Sequence, residues 1–283
     1  MASISNTTSS VKPTKPIKIT LDFHFLTKPK VLLPTPRELV EAGKDIECVY
    51  WELVVKDIHD TCKLLESIYI ESEGVDGYVS VAVSPKLAND TKGTIEAAKW
   101  LHKMVACPNV YIKIPAIDES ISSIKEVISL GISVNVTLIF SLPRYEAVIN
   151  AYLDGLEASS MNDLSNVSSA AAFYISRVDV AIDKKLEKII NKTSGHSLVH
   201  KQISTIPPDP ALKAFLDHGI LSRTIDAKVS EAESIYNAIE TLGIDWSCVG
   251  SHLENEVLDS FKRSFENVIE CLGKKARMQV VDA

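Results

Sequence analysis

Residues 78–140 read YVSVAVSPKLANDTKGTIEAAKWLHKMVACPNVYIKIPAIDESISSIKEVISLGISVNVTLIF. Two periods alternate in this stretch. Tyr78–Ser84, Val110–Ala116 and Ile132–Phe140 are short β-branched runs, the last nearly all apolar, and they read as strands. Between them, Thr91–Val105 sets Ile95, Ala98, Leu101, Met104 and Val105 on one helical stripe. Glu119–Leu130 does the same with Ile121, Ile124, Val127 and Ile128, and Gly131 closes it. Strand, helix, strand, helix with short connections makes parallel βαβ units. Continuous apolar strands make a sheet buried on both faces.

The alternation runs on in both directions. Pro143 opens a helix to about Glu157, with Tyr145, Val148, Ile149 and Tyr152 inward. Ala170–Val178 is expected as a strand and Asp179–Ile190 as its helix. Upstream, Ile17–Phe25 alternates, with Asp22 on its polar face, and gives a fifth strand. Arg37–Glu66 is long and helical, Asn191–Pro210 is a polar loop, and His218–Ile225 is one more candidate strand. Glu231–Thr241 and Val249–Leu272 are amphipathic helices. Two architectures fit, an open doubly wound sheet or a (β/α)8 barrel. No GxGxxG or GxxxxGK[ST] follows a strand, which disfavours the nucleotide-binding open sheets.

Composition narrows the classes of function. The 283 residues are 46% hydrophobic and 24% charged, which excludes a disordered chain. A net charge of −7 argues against a broad nucleic-acid-binding face. No apolar run approaches the roughly 20 residues of a membrane span. Cys48, Cys62, Cys107, Cys248 and Cys271 form no CxxC pair, and reduced thiols in a cytoplasmic protein are the expectation. Residues 1–16 read as a flexible segment. Their Ser, Thr and Lys content without acids leaves a transit signal, and so a plastid, as the alternative. His59, His102, His200, His218 and His252 show no metal-ligand spacing.

Lys113 is the most informative position. It lies opposite the face of Val110, Ile112 and Ile114, two residues before Pro115. A lysine inside a buried strand is costly to carry charged. A neutral amine is the form that adds to a carbonyl to give a Schiff base. The competing reading is an edge lysine reaching solvent. Asn135 and Thr137 are two apart and share a face, where they bind substrate hydroxyls or satisfy backbone groups. Arg177, at the end of the expected fourth strand, is placed to clamp a phosphate or to pair with Asp179 or Asp183.

The segments YIKIPA, GISVNVTLIFS, RYEAVINAYLDGLE and AFYISRVDVAID, with GYVSVAVSPKLANDTKGTIEAAKWL upstream and IPPDPALKAFLDHGILSRTIDAKVSEAESIYNAIETLGID downstream, resemble the transaldolase family of plants and many bacteria. The likeness begins at about Leu26. It implies a (β/α)8 (TIM) barrel of the class I aldolase type over residues 17–283 as a single domain. It also implies transfer of a three-carbon dihydroxyacetone unit between sugar phosphates through a lysine Schiff base, without a cofactor. Lys113 matches the Schiff-base lysine, Asn135 and Thr137 the substrate-contacting pair, and Arg177 a phosphate-binding arginine.

The departures from the family pattern are specific. Where the family reads VSVEVSP, this chain has Ala82 in place of the glutamate that works with the catalytic water. Thr27-Lys28-Pro29 stands for a TSNP motif, Ala172 for a serine, and the aspartate of the family's first strand has no counterpart. Between Ile190 and Thr205 the chain is too short for the two barrel elements the family places there. The resemblance therefore implies an incomplete barrel and an impaired transaldolase, alone or in a homo- or hetero-oligomer. Two other readings remain. One is a catalytically inactive relative that binds sugar phosphates or a partner, and the other is an incomplete gene product.

Overall fold

The computed structural model describes residues 21–22, 36–161, 163–192 and 228–281. The N-terminal segment 1–16, the Thr27–Pro29 motif and the candidate strand at His218–Ile225 lie outside them. Among the described residues five strands form one parallel sheet: β1 (Leu21–Asp22), β2 (Val79–Ala82), β3 (Val110–Pro115), β4 (Val134–Ile139) and β5 (Ser169–Phe173). Their order across the sheet is the order along the chain. A doubly wound sheet reverses direction at a switch point, whereas a barrel winds one way only. The five strands are therefore consecutive staves of a (β/α) barrel.

The outward face of the sheet explains the helices. Val79, Val81, Val110, Ile112, Ile114, Val134 and Val136 meet one buried cluster with Ala98, Leu101, Val105, Ile124, Val127, Ile128, Val148 and Ala151. These last belong to α3 (Thr91–Val105), α4 (Asp118–Ser129) and α5 (Leu142–Ala158). Asp90 caps α3 by accepting from the Gly93 N–H at 2.9 Å, and Ser141 caps α5 through the Arg144 N–H at 3.3 Å. Before β2 come α1 (Pro36–Glu41) and α2 (Ile46–Glu71). The single long helix expected over Arg37–Glu66 is broken at Gly43, whose φ of +80° suits glycine. Met104, Tyr145 and Ile149, expected inward, are exposed; the buried stripes run through Thr94, Ala98 and Leu101 and through Val148 and Ala151.

The fourth βα unit differs from expectation. The strand ends at Phe173, and helix α6 runs Ile175–Lys192, so Arg177, Asn191 and Lys192 are helical. The β-branched Ile175 and Val178 imitate a strand, but Val178 and Ile182 are buried four residues apart, the spacing of a helix.

The last two helices are α7 (Val229–Thr241) and α8 (Trp246–Val281). Helix α8 has 36 residues and runs along the C-terminal ends of the strands. Val249, Leu253 and Val257 pack with Leu138 and Phe140 at the end of β4. Leu258 packs with Ala88 and Ile117, which follow β2 and β3. Gly250 approaches Ser141 so closely that a Cβ there would lie 3.1 Å from the serine Cβ. Arg144 ties the helix down, bonding Glu254 through Nε at 3.0 Å and also pairing with Asp118 on α4. All five cysteines are free thiols. Among the described residues no helix is long and apolar enough to cross a membrane, and no cluster of His, Cys, Asp and Glu could hold a metal.

Candidate active site

The inward face of the same strands is polar. Register brings Ala82 on β2, Lys113 on β3 and Asn135 on β4 into one row, with Ala170 of β5 next to Asn135. One row toward the strand starts, Asp22 pairs with Ser80 and Ser80 with Tyr111. One row toward the strand ends, Pro115 pairs with Thr137. Lys113 is 5% exposed, Asn135 4% and Thr137 3%, and register and burial place the three on one interior face.

A single hydrogen bond shows how the sheet curves. The Asn135 amide donates Nδ2–H to Ser80 Oγ at 3.0 Å, passing over β3. Strands two apart in a flat sheet are separated by roughly 10 Å, too far for a short amide and a hydroxyl to meet. The sheet must curl toward this face, as the wall of a barrel does. The bond also fixes the amide, leaving Asn135 Oδ1 as an acceptor beside Lys113.

Beneath the lysine lies a closed floor. The rings of Tyr78 and Tyr111 stack with centroids 4.1 Å apart. Their hydroxyls are linked through Ser168, with Tyr111 Oη 2.8 Å and Tyr78 Oη 3.2 Å from its Oγ, and Tyr78 donates onward to the Gly74 carbonyl. Burial pushes both phenols up, so they stay protonated and serve as neutral hydrogen-bonding groups. Above Lys113, β4 is irregular. Its register slips between Val136 and Ile139, and Leu138 takes φ +60°, a left-handed conformation a side chain rarely adopts. The slip sends Leu138 into the cluster under α8 and Ile139 into the outer core.

Ala82 is the exposed end of β2, where the strand's other three residues are buried. Its small side chain leaves a space that solvent reaches, in register beside Lys113. No carboxylate occurs in β2 to β5; Asp22 of β1 is the one acid among the described strand residues.

Arg177 stands apart from this row. It lies in the first turn of α6, exposed, with its N–H bonded to the Tyr174 carbonyl at 3.2 Å, and it lines a groove between α6 and α8. The junction after β5 is still at the catalytic end of a barrel. Reading residues one by one gave Ser80 no role beyond sharing a face with Ala82, and passed over Tyr111 and Ser168. Alternation was the available signal for the first two, because Ser80, Tyr111 and Lys113 fall on inward positions of paired strands.

Comparison with known proteins agrees with this geometry. A family model described as Transaldolase/Fructose-6-phosphate aldolase matches residues 32–206. The transaldolase of Mycolicibacterium paratuberculosis is 47% identical, covering 82% of this chain and 79% of that protein. The transaldolase of Renibacterium salmoninarum is 36% identical over the same shares, and that of an Arthrobacter species 34% identical over 83% and 80%. The Renibacterium alignment extends over 295 residues, more than the 283 of this chain, although only 82% of the chain takes part. That relative therefore carries stretches with no counterpart in this chain. One-way winding, an inward-facing lysine at the third strand and these matches lead to one assignment: the chain belongs to the transaldolase/fructose-6-phosphate aldolase family.

Proposed function

We propose that the chain is a transaldolase-type transferase in which Lys113 forms the Schiff base, working slowly because the position beside the lysine is Ala82. The observation that carries this reading is the row Ala82–Lys113–Asn135, a buried amine between a methyl group and a fixed amide. The Lys113 amine adds to a ketose carbonyl, and water leaves to give the imine. Asn135 Oδ1 and the Thr137 hydroxyl hold substrate hydroxyls, and the paired strands β3 and β4 keep them at fixed distance from the amine. Arg177, from the junction after β5, takes the phosphate. Carbinolamine dehydration and carbon–carbon cleavage each move a proton, and each such transfer by a placed group supplies about 10²–10⁴-fold. With no carboxylate on β2 to β5, those steps fall to water and to whatever Asp22 contributes.

The same reading takes residues 17–283 as one barrel domain, sugar phosphates as substrates, no nucleic acid as partner and the cytoplasm as the compartment. Five free thiols suit a reducing compartment, and a plastid would offer one too. The test is borohydride reduction in the presence of a ketose phosphate, followed by mass spectrometry. A reduced adduct on Lys113, absent in Lys113→Ala, is the expected result. A folded wild-type chain that traps nothing refutes the enzyme and favours the inactive relative.

A further inference from the structure

Two of the five thiols meet where β3 begins, at the end of the sheet away from α8. Cys62 on α2 and Cys107, in the link between α3 and β3, are both buried. His59 precedes Cys62 by one turn of α2, so the two side chains share a face. His59 Nδ1 lies 3.5 Å from Cys107 Sγ, which brings Cys107 against that face. Asn109, two residues on, donates its amide to the Cys62 carbonyl at 2.9 Å and holds the link along the helix. The Cys62 thiol in turn donates to Cys107 Sγ. Cys48, Cys248 and Cys271 are exposed instead.

The two sulfurs are not equivalent. His59 Nδ1 also lies 2.9 Å from the Val105 carbonyl. A carbonyl only accepts, so Nδ1 carries a proton and shares it with the Cys107 sulfur. Cys107 Sγ therefore receives hydrogen bonds from two sides, and both favour its thiolate. Burial pushes the Cys107 thiol up, and the Lys63 ammonium draws it back. Burial pushes the Cys62 thiol up further, with the Cys107 sulfur adding to the effect. Of the two, Cys107 ionises first. It is also the one within reach of solvent-borne reagents. Among the described residues, His59 lines a cavity of about 340 Å³ beside the exposed Trp100 and Met104. A small molecule in that cavity is one imidazole away from Cys107.

We propose that Cys62 and Cys107 form an oxidation site that hydrogen peroxide closes to a disulfide, stapling α2 to the start of β3. The Cys107 thiolate attacks one peroxide oxygen and the O–O bond breaks. The departing hydroxide takes up the proton that Cys107 released, giving water and a sulfenic acid on Cys107. The Cys62 sulfur then attacks the Cys107 sulfur, the S–O bond breaks, and the Cys62 proton leaves with the hydroxyl as a second water. Two thiols are oxidised and one peroxide is reduced. Burial of both sulfurs selects a small oxidant over a disulfide the size of oxidised glutathione. The site lies outside the row of Lys113 and works whether or not the lysine forms an imine.

The test treats the full, fully reduced chain with hydrogen peroxide, blocks the remaining thiols with iodoacetamide and maps peptides without reduction. Mass spectrometry should find a peptide pair joined through Cys62 and Cys107 and lighter by two hydrogens than its reduced parts. Dithiothreitol should reverse the link. The same treatment in urea should lose it, because the fold supplies the proximity. This arm uses wild type alone. A second arm adds dimedone, which captures sulfenic acids. Cys62→Ser should accumulate the adduct on Cys107, having no sulfur to resolve it, whereas Cys107→Ser should show none at Cys62. A folded wild type whose buried pair stays reduced while its exposed thiols oxidise overturns the proposal. So does a link that forms equally well in urea, and an adduct on Cys62 in place of Cys107 overturns the order of attack.

Discussion

At Lys113 the neighbours on either side decide what the amine can do. Asn135 is held by Ser80 and presents an acceptor; Ala82, in register on the other strand, presents nothing. The space beside Ala82 is open to solvent, so a longer side chain enters there without displacing core atoms. Ala82→Glu should therefore leave the melting temperature nearly unchanged and raise turnover of a ketose phosphate. The gain should stay below the full factor of roughly 10²–10⁴ for one acid–base group, since β2 to β5 offer no second carboxylate to share the proton transfers. Steady-state kinetics beside a thermal melt checks both. An unchanged rate in a well-folded variant would mean that proton transfer does not limit this site.

Between elements, close approach matters more than propensity. Gly155 sits where α5 crosses α4, and a Cβ there would lie 2.7 Å from the Lys125 carbonyl oxygen and 2.8 Å from Ile128 Cβ. Alanine in a helix interior gains about 1 kcal/mol over glycine from propensity alone. Forcing two packed helices apart costs about 1–3 kcal/mol. Gly155→Ala should therefore destabilise by up to about 2 kcal/mol in denaturant unfolding, against the sign that propensity predicts. Elements of this kind were legible in the sequence where a period was long enough. The sequence gives α3 its bounds, Thr91–Val105, and places β3 and β4 within a residue or two. It misplaced the end of β5 because Ile175 and Val178 are β-branched in a helix. The Ser80–Asn135 bond was not legible at all, since it depends on curvature, a property of several strands together. The left-handed Leu138 was equally hidden, because leucine carries no turn signal.

For the whole molecule, the strands are unequal. β3 and β4 are buried along nearly all their length, whereas β5 is half-exposed throughout and Ala171 on it is open to solvent. Helices α3, α4 and α5 pack in series, while α6 turns to α8 and joins the cluster of Val178, Ile182, Val249 and Leu253. The sheet should then open from β5 before it unfolds globally. In hydrogen exchange followed by mass spectrometry, amides of residues 169–173 should exchange well before those of 110–115 and 134–139. Equal protection across all three would contradict this order.

Helix α8 also fixes when the catalytic end can be closed during synthesis. The apolar groups it covers, Ala88, Ile117, Leu138 and Phe140, leave the ribosome at least a hundred residues ahead of Trp246. At translation rates of about 5–20 residues per second, the rim of the half-made barrel stays uncovered for seconds. A nascent chain halted before residue 246 carries Lys113 in its strand, but no seal above it.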